Sequence, residues 1–272
     1  MRIVKNIEVR PINLLGIVGL FFYILFAEMA LGSVFYSQAV KYYGANLHLA
    51  SLIVNGGLVL TKGLILLSLV RLVFYKTTPT EEPSTSTWHW QNALKITAFL
   101  GLIVLLYRMA FDSLLSLLLL RWFGHSGDLN WSMYLILGAP VLGYAYILII
   151  APIFEEVVYR GIFYSGLRKH GDNFWISAVT SALLFAIMHF NVVQGVNAFV
   201  LGLLAAFIYE QTQSLIAPIV FHIINNVYVT FFSSVIMGIQ WLDTPLRILI
   251  MCGSTCLLLI LLKKWENKRA TL

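Results

Sequence analysis

Residues 145–164 read AYILIIAPIFEEVVYRGIFY. The run is apolar almost throughout, yet Glu155 and Glu156 stand side by side inside it and Arg160 follows. A charged side chain at the centre of a bilayer costs roughly 2.5 to 3.5 kcal/mol on insertion scales. Packing gives no reason to place two carboxylates there. The stretch therefore points to a membrane helix that carries chemistry. In a helix, Glu156 and Arg160 are spaced i,i+4 and are expected to form an ion pair. Glu155 then projects about 100° away and is free for other work.

The rest of the chain agrees with a membrane setting. Of 272 residues, 60% are hydrophobic and 11% are charged, against about 25% charged in a soluble domain. Mean hydropathy is +0.85. Crossing a bilayer takes about 20 apolar residues. Suitable runs lie near 12–32, 48–75, 93–121, 132–152 continuing to 168, 174–190, 195–209, 214–237 and 244–262. The sixth is short unless it borrows flanking residues. The expected fold is all-α: a polytopic bundle of about eight transmembrane helices, forming one integral membrane domain over 1–272. No internal repeat is visible. The first run is too long for a signal peptide and reads as a retained first helix. Trp88, Trp90, Trp122, Trp131, Trp175, Trp241 and Trp265 all fall at or near run ends, where interfacial tryptophans belong.

The net charge is +6, and the basic residues cluster outside the apolar runs. Arg2, Lys5 and Arg10 lie in the N-terminal tail, Arg168 and Lys169 in the turn after the fourth run, and Lys263, Lys264, Lys268 and Arg269 in the C-terminal tail. With eight spans all three groups share one face, which the positive-inside rule makes cytoplasmic. Both termini, and the Ser/Thr/Pro-rich linker 76–91, are expected there. The bilayer is thus one partner. Nucleic acid is not, since there is no soluble basic module. Cys252 and Cys256 read as apolar helix packing. Among charges inside apolar runs, Glu28 and Lys62 can pair across the first two helices. Arg108 and Asp112 can pair at i,i+4, and Arg71 can snorkel.

Three more polar groups recur in apolar surroundings: His189 in LLFAIMHF, then His222 and Asn226 in IVFHIINN. His222 and Asn226 are i,i+4 and share a helix face. Glu155 lies about 13 residues before the Arg168 turn, roughly 20 Å, and His189 about 16 residues after Asn173, roughly 24 Å. Antiparallel helices joined at that turn bring the two to nearly one level. A carboxylate and an imidazole there can hold a water as a general base. His222 and Asn226 can donate to a developing oxyanion. Glu155, His189 and His222 could instead ligate zinc, with water as fourth ligand. No HExxH pair supports that, and it leaves Asn226 unexplained. The metal-free reading, with no cofactor, is preferred.

These residues resemble the CPBP intramembrane proteases, the CAAX-protease and bacteriocin-processing group also called Abi. The family's EExxxR, FxxxH and HxxxN motifs appear as Glu155-Glu156-Val-Val-Tyr-Arg160, Phe185-Ala-Ile-Met-His189 and His222-Ile-Ile-Asn-Asn226. The resemblance covers a catalytic core over about 145–232. It implies a helical intramembrane glutamic endopeptidase in which Glu155 activates water with His189. Arg160 holds Glu156, and His222 and Asn226 form the oxyanion side. It also implies a peptide or protein substrate at the membrane: a prenylated CaaX tail, or a bacteriocin- or pheromone-like peptide. Compact size and the lack of an organelle-retention signal suit a bacterial plasma membrane. Two other classes stay open: a non-catalytic bacteriocin self-immunity factor or scaffold of the same fold, and a small transporter.

Overall fold

The computed structural model describes residues 2–4, 7–76, 92–118, 138–239 and 244–270. Eight long helices are present among them. These are α1 (Leu14–Tyr43), α2 (Leu47–Val73), α3 (Ala93–Leu118), α4 (Pro140–His170), α5 (Phe174–Ile187), α6 (Val192–Thr212), α7 (Ile216–Ile239) and α8 (Thr244–Ala270). They follow the eight apolar runs one for one. By length and composition six can cross a membrane, and α5 and α7 contribute shorter apolar helices. The chain is an all-α integral membrane protein.

The short helix is not where the run lengths place it. The sixth run does borrow its neighbours and becomes α6, 21 residues from Val192. The fifth stops early: α5 has 14 residues, about 21 Å, well under the ~30 Å of a hydrocarbon core. Phe190 then takes a left-handed turn at φ 49°, and Asn191 starts α6 by accepting from Gln194 N. Asn13, Asn46 and Asn173 cap α1, α2 and α5 in the same way. The asparagine carbonyl satisfies a backbone donor that the first helical turn leaves open.

Helix α4 is a composite. Two stretches, Tyr146–Ile150 and Val157–Tyr164, widen to i→i+5 hydrogen bonding. Pro152 lies just after the first. It has no N–H for the Leu148 carbonyl, so a regular ladder cannot continue there. Around the second stretch, side chains take up backbone carbonyls. Ser165 Oγ donates to Arg160 O at 2.7 Å, and Ser181 Oγ of α5 donates to Tyr159 O at 2.7 Å. Such widened turns recur at functional sites. Gly171, at φ 112°, closes the helix.

One element was not expected. Arg2–Val4 (β1), Ile7–Val9 (β2) and Phe74–Lys76 (β3) form a small antiparallel sheet in the order β1-β2-β3, with Glu8 opposite Tyr75. Beyond it, Arg10 N donates to Val73 O and Ile12 N to Gly166 O. The sheet ties the start of α1 to the ends of α2 and α4. Arg168 and Tyr164 of α4 bond Glu210 of α6 at this same end, and Lys169 bonds Glu8. Trp265, near the end of α8, packs edge-on against Phe207 of α6 and Phe99 of α3. The start of α1 and the end of α8 thus share one end of the bundle.

Glu28 and Lys62 do pair across α1 and α2, at 2.9 Å. Cys252 and Cys256 are free and exposed on α8 rather than packed inside. The Asp112 side chain, the linker 77–91 and five of the tryptophans (Trp88, Trp90, Trp122, Trp131 and Trp241) lie outside the described residues. Helices α1 and α2 pack along their lengths. At Gly57 they come so close that a Cβ would lie 2.2 Å from the Phe35 ring. Gly57→Val is therefore expected to destabilise the bundle by about 1–3 kcal/mol, the usual cost of overpacking. Thermal unfolding of the detergent-purified variant measures it.

Candidate active site

The buried centre of the site is Glu156. It and Arg160 are fully buried. Arg160 Nη1 donates to Glu156 Oε1 at 2.9 Å, as the i,i+4 spacing predicts. His222 of α7 reaches the same oxygen, its Nδ1 at 2.8 Å. Arg160 also donates Nη2 to Gly202 O of α6 at 3.0 Å and lies over the Phe185 ring of α5, 5.1 Å from its centre. Four helices therefore meet on one ion pair. Gly202 is required here: a Cβ would stand 2.8 Å from Ala182 Cβ and 3.2 Å from Arg160 Nη2.

Glu155 points elsewhere, and its side chain stays 23% exposed. Its Oε2 lies 3.7 Å from His222 Nε2, too far for a direct hydrogen bond. His222 thus stands between two carboxylates. Its Nδ1–H donates to buried Glu156, which turns Nε2 toward accessible Glu155. A carboxylate that orients a histidine in this way selects its tautomer and raises its basicity.

His189 follows α5 at the early stop described above. Its Nδ1 donates to Phe185 O at 3.0 Å, which leaves Nε2 as an acceptor in the neutral ring. No direct hydrogen bond joins His189 to Glu155. The two imidazoles instead flank Phe185, whose ring centre is 4.9 Å from His189 and 5.7 Å from His222. The phenylalanine of the FxxxH motif thereby touches Arg160 and both histidines. Asn226, one turn after His222, donates Nδ2 to Ile147 O at 3.0 Å. That carbonyl belongs to the first widened stretch of α4.

Sequence reasoning missed three contributors. Asn225 donates to Asn226 Oδ1 at 3.1 Å, and Arg108 of α3 donates to Asn225 Oδ1 through Nε at 3.0 Å and Nη2 at 2.6 Å. Arg108 is thus engaged across helices, and its expected i,i+4 partner Asp112 has its side chain outside the described residues. The doubled Asn225-Asn226 was the visible signal. Gly202, the third miss, had none beyond its place in a helix. Among the described residues no three His, Cys, Asp or Glu side chains are grouped as metal ligands.

Comparison with known proteins bears on the same segment. Residues 137–228 match a family described as Rce1-like, the Type II CAAX prenyl endopeptidase Rce1-like family. Through this segment the chain is similar to the CPBP/CAAX protease family. A Bacillus subtilis (strain 168) protein named "Putative membrane peptidase YdiL" is 30% identical over 81 residues, which is 30% of this chain and 33% of that protein. The match thus spans about a third of that relative's length. No solved structure matches the chain. All of the CPBP/CAAX motif residues named above lie inside the matched segment, while α1, α2 and α3 lie outside it.

Removing Arg160 leaves Glu156 buried with half of its pairing gone. Arg160→Ala should cost roughly 3–5 kcal/mol, the penalty for breaking a buried pair. Glu155→Gln should cost much less, because that side chain is part-exposed. Comparing melting temperatures of the two purified variants checks this ordering, and equal losses would refute the structural role of the pair.

Proposed function

We propose that this chain is an intramembrane endopeptidase in which water, activated by Glu155, hydrolyses a peptide bond of a membrane-associated substrate. The observation that carries this reading is the division of labour between adjacent carboxylates. Glu156 is sealed and structural, and Glu155 is open, with no cation of the described residues within hydrogen-bond distance. The 3.7 Å between Glu155 and His222 suits a water bridging them. Glu155 takes a proton from that water as hydroxide adds to the scissile carbonyl. The resulting oxyanion is met by the second Nδ2–H of Asn226, the first being held by Ile147 O. Glu155 then passes its proton to the departing amine, which balances the reaction. His189, whose Nδ1 is held by Phe185 O, receives or orients substrate through Nε2.

The substrate class proposed is a lipid-modified CaaX-type peptide or a bacteriocin- or pheromone-like peptide. The family description supports the former, the Bacillus relative's name supports a membrane peptidase, and a bacterial plasma membrane is part of the same proposal. We also propose that both termini face the cytoplasm. Their shared end of the bundle carries Arg10, Arg168, Lys169, Lys263 and Lys264, the side favoured for basic residues. Reporter fusions after Lys76 and at Leu272 should both read cytoplasmic, and a periplasmic signal from either would invert this orientation.

The decisive experiment uses purified protein with a quenched-fluorescent farnesylated CaaX peptide and, separately, a panel of peptide pheromone precursors. Glu155→Gln should lower cleavage by about 10² to 10⁴ while inserting normally. Asn226→Ala should lower it by about 10² to 10³, as for loss of one oxyanion donor. Activity should survive exhaustive chelation. Cleavage by Glu155→Gln at the wild-type rate would remove the assigned base. Loss on chelation with recovery on added zinc would replace this mechanism by a metal-dependent one.

A further inference from the structure

A chain of side-chain hydrogen bonds runs from α3 through α7 to α4, and its first member lies outside the matched segment. Arg108 of α3 is buried, with its guanidinium over the Tyr107 ring, 5.0 Å from the centre. The Tyr107 hydroxyl donates to Asn197 O of α6 at 3.1 Å, so the guanidinium rests on a ring that is itself held. Arg108 Nε and Nη2 both donate to Asn225 Oδ1, at 3.0 and 2.6 Å. Asn225, also buried, donates Nδ2 to Asn226 Oδ1 at 3.1 Å. Asn226 in turn donates Nδ2 to Ile147 O at 3.0 Å. A guanidinium has donors and no acceptor, and a backbone carbonyl accepts only. The two amides are therefore clamped between an obligate donor and an obligate acceptor. Each amide could otherwise rotate by half a turn and exchange its oxygen for its nitrogen. With Arg108 in place, Asn225 must face it with oxygen. Asn225 then offers nitrogen to Asn226, which is left with its own nitrogen toward α4.

We propose that Arg108 is a positioning residue for Asn226: through Asn225 it fixes the direction in which the Asn226 amide points, so that the second Nδ2–H faces the developing oxyanion. This rests on the reading of Asn226 as the oxyanion donor. A flipped Asn226 would set Oδ1 against Ile147 O and present an acceptor to the negative charge. A donor held in place beforehand needs no reorganisation as that charge develops. Fastening α3 to α7 explains less of the geometry. Those helices already pack against each other, and a fastener could end at Asn225. The relay instead continues through Asn226, one turn beyond His222, to the first widened stretch of α4.

The test is a double-mutant cycle on kcat of the purified full chain with the farnesylated CaaX peptide. Arg108→Met should lower kcat at least about tenfold with KM little changed, short of the about 10² to 10³ for losing the donor itself. In the Asn226→Ala background the same substitution should cost nothing further, because no amide is left to orient. Arg108→Lys, again a donor without an acceptor, should restore most of the loss. Equal losses in both backgrounds would mean a purely structural role and would overturn the proposal. An unchanged kcat in Arg108→Met would do the same. If Arg108→Met does not fold, Asn225→Leu breaks the relay one step later and is read by the same cycle. A measurement without substrate keeps the two readings apart. In protein made with isotope-labelled asparagine, the side-chain amide signals of Asn226 are assigned by their loss in Asn226→Ala. They should move or double in Arg108→Met, or in Asn225→Leu, and return to their wild-type positions in Arg108→Lys. Unmoved signals overturn the proposal whether or not the peptide is cleaved. Wild-type cleavage by Asn226→Ala would instead remove the oxyanion reading.

Discussion

One carboxylate oxygen, Glu156 Oε1, accepts from Arg160 and from His222 with no solvent to share the load. In a low-dielectric interior this arrangement is all or nothing. Paired, it pulls α4 and α7 together and, through the Arg160–Gly202 bond, draws in α6. Half-paired, it leaves a bare charge at depth. The close approach of α5 and α6 at Ala182 and Gly202, the ring of Phe185 under the guanidinium and the orientation of His222 all follow from satisfying this pair. Glu155 can remain open because its neighbour carries the structural burden.

The helices were legible because the apolar runs are long and their punctuation is strong. Each of the eight runs became a helix, and four asparagines mark helix starts. The early stop of α5 was not legible. Asn191 marks where α6 starts, but LLFAIM runs apolar up to His189 and does not show that α5 has already stopped at Ile187. The sheet was missed for the opposite reason. Three strands of three residues each are too short for a periodicity signal, and two are separated from the third by two whole helices.

At the site, contacts within one helix were readable and contacts between helices were not. Glu156–Arg160 followed from spacing alone. Depth counting placed Glu155 and His189 at one level but could not say which histidine would face the carboxylate, since levels carry no azimuth. The structure puts His222 nearest Glu155 and sets His189 across the Phe185 ring. Arg108 illustrates the same limit: an i,i+4 partner is visible in sequence, whereas Asn225, 117 positions away, is not.

The sheet has a consequence for how the chain is made. Ile12 closes on Gly166, where a Cβ would lie 3.1 Å from its side chain, and β2 needs β3 from beyond α2. The segment before α1 thus acquires its last partner only after four helices have been synthesised. Until α4 is in place, the N-terminal segment has no surface to settle on at Gly166. Assembly of this protein therefore runs back on itself, and the last step at that end is a backbone latch that reports whether the helix bearing the two glutamates has arrived.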